Sequence, residues 1–276
     1  MARFRPTTLM CLLVAGCAAG PDLPAPPPAP ETPRAFTFAP SATTYLVSSY
    51  STIAQNIQGM AQETQTELRF RLVTDVLPSD SGLQASLVVD SILQVSMPGV
   101  SATDIDRVLG SQFGATLQPT GELADIDAME SNSPLFRVIT NSVSQFFPRI
   151  PDGGLPSGTT WTDTTEVVGN NGAADITTAA ITVHETSDWT PADGQDALTI
   201  SWRASYTFTG QGEQLGQPFT IQGKGRRAGR YQLAADGRYL GSVMADSSTA
   251  DVVVTNLGIT VPIQNIRADT VSVVPQ

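Results

Sequence analysis

Beyond residue 41, apolar and polar residues alternate with a period of two through much of the chain. The runs "ETQTELRFRLVTDV" (63 to 76), "GLQASLVVDSILQVSM" (82 to 97), "ADITTAAITVHETSDW" (174 to 189) and "DALTISWRASYTFTG" (196 to 210) are rich in threonine, valine, isoleucine and aromatics. Those residues suit a pleated, half-buried surface. Turn chemistry separates them in "PSDSG", "QPTGE", "PADGQD" and "AADGR". The spacing leaves no room for crossover helices, so the pattern predicts a mainly β protein with long antiparallel, curved sheet.

Helical signals occur twice. "SATDIDRVLG", around 101 to 110, has a Ser/Thr start and a glycine stop. "SPLFRVITNSVSQFFP" offers Ser133 as cap, Pro134 in the first turn and Pro148 as terminator. Its residues Leu135, Phe136, Ile139, Val143, Phe146 and Phe147 fall at spacings of three and four, a stripe that must be buried on or inside the sheet.

The chain also repeats itself. Thr43-Thr44-Tyr45 recurs 116 residues later as Thr159-Thr160-Trp161, and "LQPTGEL" (117 to 123) falls opposite "LAADGRY" (233 to 239) at the same offset. The glycines Gly121 and Gly237 keep that register. Two β repeats are expected, 41 to 148 with a connector helix and 149 to 276.

The N-terminus has a different character. Arg3 and Arg5 precede the short apolar run "LMCLLVAG", which ends at Cys17 and is too short for a permanent membrane span. Val14-Ala15-Gly16-Cys17 resembles the lipobox of bacterial lipoproteins, which implies cleavage after residue 16 and acyl groups on Cys17 that hold the protein to a membrane. Residues 17 to 40 then form a tether, with eight prolines between Pro21 and Pro40 favouring extended polyproline II. Ala18 after the cysteine resembles the outer-membrane-destined class, so the expected place is the envelope, outer membrane facing the periplasm. Both cysteines, Cys11 and Cys17, lie in this leader region, leaving the folded part without disulfides.

The formal charge of −11 argues against a nucleic-acid partner. Few groups offer chemistry. His184 is the single histidine, no Gly-x-Ser-x-Gly elbow occurs, and the Gly-Lys of "GQPFTIQGKGRR" lacks the rest of a phosphate loop. Asp104, Asp106, Asp125, Asp127 and Glu130 lack the glycine-bearing loop of known calcium sites. No cofactor, metal or catalytic residue is expected. One basic cluster stands out: on a strand, Lys224, Arg226 and Arg230 project to one face and Arg227 to the other, offering a contact for an anionic group.

"FFPRIPDGGLPSGTTWTDT" (146 to 164) resembles the F-P-x-[LI]-P…G-x-x-W segment of a group of uncharacterised bacterial lipoproteins with long, repeated, curved antiparallel sheets. Their architecture is similar to the lipoprotein-carrier (LolA/LolB-like) half-barrels, in which a bent sheet plugged by helices holds an acyl chain. The resemblance gives no activity; with neither nucleophile nor metal set in the sequence, the expectation is a non-catalytic envelope lipoprotein that binds a hydrophobic molecule, in a cavity near the 133 to 147 helix lined by Phe136, Ile139, Val143, Phe146 and Phe147. A protein-interaction scaffold, or a hydrolase of an envelope polymer acting through buried carboxylates, are the alternatives.

Overall fold

The computed structural model describes residues 34 to 275 apart from 81, 128–132, 171–173, 193 and 215. The lipobox, Cys17 and most of the proline-rich tether lie outside the described residues. From residue 33 onward the chain forms one compact unit.

Fourteen strands and two helices are described. They run β1 (Ala35–Phe36), β2 (Ser41–Ile57), β3 (Met60–Ser79), β4 (Gly82–Ser96), α1 (Ala102–Val108), β5 (Gln112–Leu117), β6 (Leu123–Asp127) and α2 (Pro134–Ser144). Then follow β7 (Leu155–Pro156), β8 (Thr160–Asn170), β9 (Ala174–Thr186), β10 (Thr190–Ala192), β11 (Gln195–Gln214), β12 (Gln217–Ala234), β13 (Tyr239–Val254) and β14 (Ile259–Val273). Twelve strands make one antiparallel sheet in the order β6-β5-β4-β3-β2-β14-β13-β12-β11-β9-β8, with β10 beside β11; β1 and β7 pair separately. The mainly β expectation, with two short helices, holds.

Turn chemistry sets the hairpins. Between β2 and β3, Gln58 and Gly59 both take positive φ (53° and 87°), the conformation of a two-residue turn whose twist matches the strands it joins. Two turns 116 residues apart share one backbone pattern. Gly121 donates to Gln118 O and Gln118 N to Glu122 O; 116 residues on, Gly237 donates to Ala234 O and Ala234 N to Arg238 O. Both glycines have positive φ, 86° and 90°, where a side chain would be strained. The repeats diverge between β4 and β5, where α1 stands in place of the extended hairpin that β11 and β12 form.

The two repeats share one sheet and one core rather than forming separate bodies. The C-terminal strand β14 lies between β13 and β2, which leaves β6 and β8 as opposite edges of the main sheet. The chain joining them, including α2 and β7, must therefore pass from one edge to the other, and it fills one end of the sheet's inner face. Core residues come from both repeats: Tyr45, Phe70 and Leu87 from the first, Leu198, Ile200 and Tyr239 from the second.

The helices follow their local signals, with one difference. In α1 the Ser101 side chain accepts from Asp104 N while the Asp104 carboxylate accepts from Ser101 N, a capping box. Helix α2 begins at Pro134 as expected but ends at Ser144, short of Pro148. Its buried residues are Leu135, Phe136, Ile139 and Val143. Phe146 and Phe147 follow in irregular backbone, where their rings meet edge to face 5.1 Å apart and Phe146 packs 5.0 Å from Tyr45 and 5.4 Å from Tyr239.

Candidate functional site

Alternation along each strand sorts side chains between two faces. On β12, Phe219, Ile221, Gly223, Gly225, Arg227, Gly229 and Tyr231 point inward, toward the face that carries the core. Thr220, Gln222, Lys224, Arg226, Ala228, Arg230 and Gln232 point outward. Along this strand the outward residues are exposed and the inward ones half-buried, and β14 alternates in the same way.

A row of glycines and rings runs along the inner face. Trp202, Tyr206 and Phe208 of β11 are the direct cross-strand partners of Gly229, Gly225 and Gly223 of β12. A Cβ on Gly223 or Gly225 would overlap the Phe208 or Tyr206 ring, and one on Gly229 would stand 2.8 Å from Trp202 Cζ2. The aromatic side chains thus lie flat across the neighbouring strand, in space that only glycine leaves. Trp202 also stacks on Tyr231 at 5.7 Å.

Beside these rings the inner face becomes polar. Arg227, Asp246 and Arg267 are register partners on β12, β13 and β14. Asp246, buried, accepts from Tyr206 Oη at 2.6 Å and from Arg227 Nε at 2.8 Å. The Arg227 guanidinium lies 4.4 Å from the Tyr206 ring centroid, a cation–π contact. Burial, with the Asp246 hydrogen bond second, pushes the Tyr206 hydroxyl pKa up. Asp269 accepts from Arg267 and, at 2.7 Å, from Ser49 Oγ, while Ser51 Oγ donates to Asn265. Toward β8, His184 sits with Nε2 3.2 Å from Asp163 and its ring stacked on Trp161 at 4.5 Å. Burial lowers the His184 pKa, against the opposing pull of Asp163, so the imidazole is neutral at neutral pH. His184 Nδ1 and the Nε1 of its cross-strand partner Trp202 are buried without a hydrogen-bond partner among the described residues.

Past this belt, toward the hairpin tips, the inner face is apolar again. Register aligns Phe208, Gly223, Ala250 and Ile263 in one row, then Ile176, Gly210, Ile221, Val252 and Val261, then Phe219, Val254 and Ile259. None belongs to the core cluster, and Phe219, Ile221, Val252, Val254, Ile259, Val261 and Ile263 remain half-buried. The inner face therefore runs from closed aromatic core through a hydrogen-bonded charged belt to an uncovered apolar strip. The outer face opposite is mostly threonine, serine, glutamine and charge.

The expected residues divide between these zones. Phe136, Ile139, Val143, Phe146 and Phe147 are at most 7% exposed, closed into the core. They pack into the core shared with Tyr45 and Tyr239. Two shallow recesses of about 880 and 710 Å³ touch none of the five, and both are lined by the outward residues Thr207, Lys224 and Thr249. Lys224, Arg226 and Arg230 are exposed on the outer face and Arg227 faces in, as alternation requires; Lys224 borders both recesses. Asp104 is the third residue of the α1 capping box, accepting from the backbone N–H of the cap Ser101. No group of three or more His, Cys, Asp or Glu side chains that could hold a metal is present among the described residues. The belt residues Tyr206, Asp246, Arg267 and Asp269 were not singled out from sequence. The available signal was period two in "SWRASYTFTG" and "GKGRRAGR", with aromatics in one strand answering glycines in the next.

No protein-family model matches the chain, and no curated protein does. Among solved structures, the chain is similar to OccK2 (OpdF) of Pseudomonas aeruginosa, at 9% identity and a TM-score of 0.26, covering 85% of this chain and 98% of that one. OmpT of Vibrio cholerae, an outer membrane protein, aligns at 10% identity and a TM-score of 0.20, covering 84% of this chain and 99% of that one.

Proposed function

We propose that this is a lipid-anchored protein of the bacterial cell envelope that binds a hydrophobic molecule on the inner face of its sheet, without transforming it. One observation carries the reading: an apolar strip built from Phe219, Ile221, Val252, Val254, Val261 and Ile263 that no part of the core covers, backed by a polar outer face. At roughly 25 cal/mol per Å² of apolar area, leaving such a strip in water forgoes a stabilisation that a bound apolar molecule supplies. Attachment through Cys17 rests on the lipobox resemblance, and the outer membrane facing the periplasm is the place that Ala18 favours. The proline-rich segment supplies reach between anchor and sheet.

The test is displacement of a polarity-sensitive dye from residues 33 to 276. The dye should bind, be displaced by long-chain lipids, and be lost in Ile221→Glu and Val252→Asp, which place charge on the strip. Equal dye binding by wild type and both variants would refute the assignment, and a wild type that binds no apolar probe would leave a protein-interaction scaffold as the better account.

A further inference from the structure

Resting on that reading, we infer that the ligand is a singly charged anionic amphiphile whose carboxylate or phosphate meets Arg227 while its chain lies along the strip toward Phe219.

The hydrogen-bond inventory of the belt is one-sided. Both oxygens of Asp246 are engaged, one by Tyr206 Oη and one by Arg227 Nε, and the residue is 7% exposed. Both oxygens of Asp269 accept from Arg267, and one also takes the Ser49 hydroxyl. A guanidinium has five N–H donors. Arg227 uses only Nε in this network, its two terminal nitrogens have no partner among the described residues, and its side chain is 37% exposed. The acceptors are satisfied internally and the donors are in surplus, so the belt is complementary to an incoming acceptor that carries negative charge. Stacking on the Tyr206 ring fixes the guanidinium plane, which favours a planar or multidentate oxyanion over a single neutral hydroxyl.

Position selects the rest of the molecule. On β12 the inward residues from Arg227 toward the tip are Gly225, Gly223, Ile221 and Phe219, with the first two sites overlaid by Tyr206 and Phe208. No charged side chain interrupts that series. Eight residues at about 3.4 Å give roughly 27 Å from Arg227 to Phe219, ample for one acyl chain, since half of a bilayer's hydrocarbon core is about 15 Å. A neutral hydrocarbon would leave the Arg227 donors unmet, and a cationic amphiphile would face them directly.

The experiment compares palmitate with hexadecanol, the same chain without the charge, on residues 33 to 276 by isothermal titration. Wild type should bind palmitate about tenfold more tightly than hexadecanol, the scale of one charge-assisted contact. Arg227→Gln should abolish that preference while leaving hexadecanol binding in place, and Arg227→Lys should retain part of it. Asp246→Asn, which removes the competing carboxylate, should strengthen palmitate binding. A merely structural role would make Arg227→Gln and Asp246→Asn move both ligands together. Equal affinity for the two ligands, or a preference unchanged in Arg227→Gln, overturns the headgroup assignment and leaves the strip standing. Failure of both ligands to bind wild type overturns the strip as well.

Discussion

Phe208 lies across Gly223, its direct cross-strand partner, and its ring occupies the space where a side chain on that glycine would start. The contact couples two strands through shape alone. Gly223→Val is therefore expected to destabilise the protein by about 2 to 3 kcal/mol, the usual scale of overpacking, seen as a lowered urea midpoint. Phe208→Ala should relieve the part of it due to the ring and leave the part due to the Thr249 carbonyl, so the double variant should be more stable than the sum of single effects requires. Strict additivity would contradict the ring-on-glycine contact.

Tyr45 joins the two repeats in the core. Its hydroxyl donates to the Tyr239 carbonyl at 2.6 Å, and its ring packs on both Tyr239 and Phe146. Tyr45→Phe should cost about 1 to 2 kcal/mol by leaving a buried acceptor unmet, whereas Phe146→Ala should cost about 3 to 5 kcal/mol through the cavity it opens. Because one core serves both repeats, thermal unfolding of either variant should stay a single transition at a lower temperature. Two separated transitions would show that the repeats unfold independently.

Stability should fall at both ends of the pH scale for opposite reasons. Burial pushes Tyr45 and Tyr231 up to about 12, from 10 in the unfolded chain, so between these values the unfolded chain loses protons first. That contribution is complete below pH 10 and is lost as pH rises toward 12, by up to about 1.4 kcal/mol per unit for each tyrosine. Tyrosinate absorbance should accordingly lag until the fold opens. His184 acts in the other direction: with its folded pKa below 6.5, the unfolded chain takes the proton first and stability falls as pH drops through that value. His184→Gln should flatten the acid limb and leave the alkaline one unchanged.

Much of the architecture was legible because local pattern and tertiary burial agree. The alternating runs correspond to β3, β4, β9 and β11, and the Asp-Gly signal in "AADGR" to the turn between β12 and β13. Ser101 with Asp104, and Pro134, mark real helix starts. Pro148 misled because helix α2 stops earlier, where Phe146 and Phe147 must leave helical geometry to reach Tyr45 and Tyr239. Strand β12 is hard to see in sequence for a physical reason: its inward positions include Gly223, Gly225 and Gly229, whose apolar cover comes from another strand. The charged belt was hidden in the same way. Asp246 and Arg267 acquire their roles from cross-strand register, which sequence spacing does not encode.

The outward residues Lys224, Arg226 and Arg230 supply a contrast to Arg227 one face away. Replacing all three by glutamine should leave palmitate binding within about twofold, because exposed charges across the sheet are screened over roughly 8 Å at physiological ionic strength. A loss as large as that of Arg227→Gln would place the anion contact on the outer face.

The most direct test is native mass spectrometry, with lipid extraction, on residues 33 to 276 produced by export in a two-membrane bacterium. A reproducible adduct of lipid mass, absent from Ile221→Glu, is the result expected if the uncovered strip is a binding face. An apo mass for wild type under conditions that preserve non-covalent complexes, with no lipid in the extract, would contradict it.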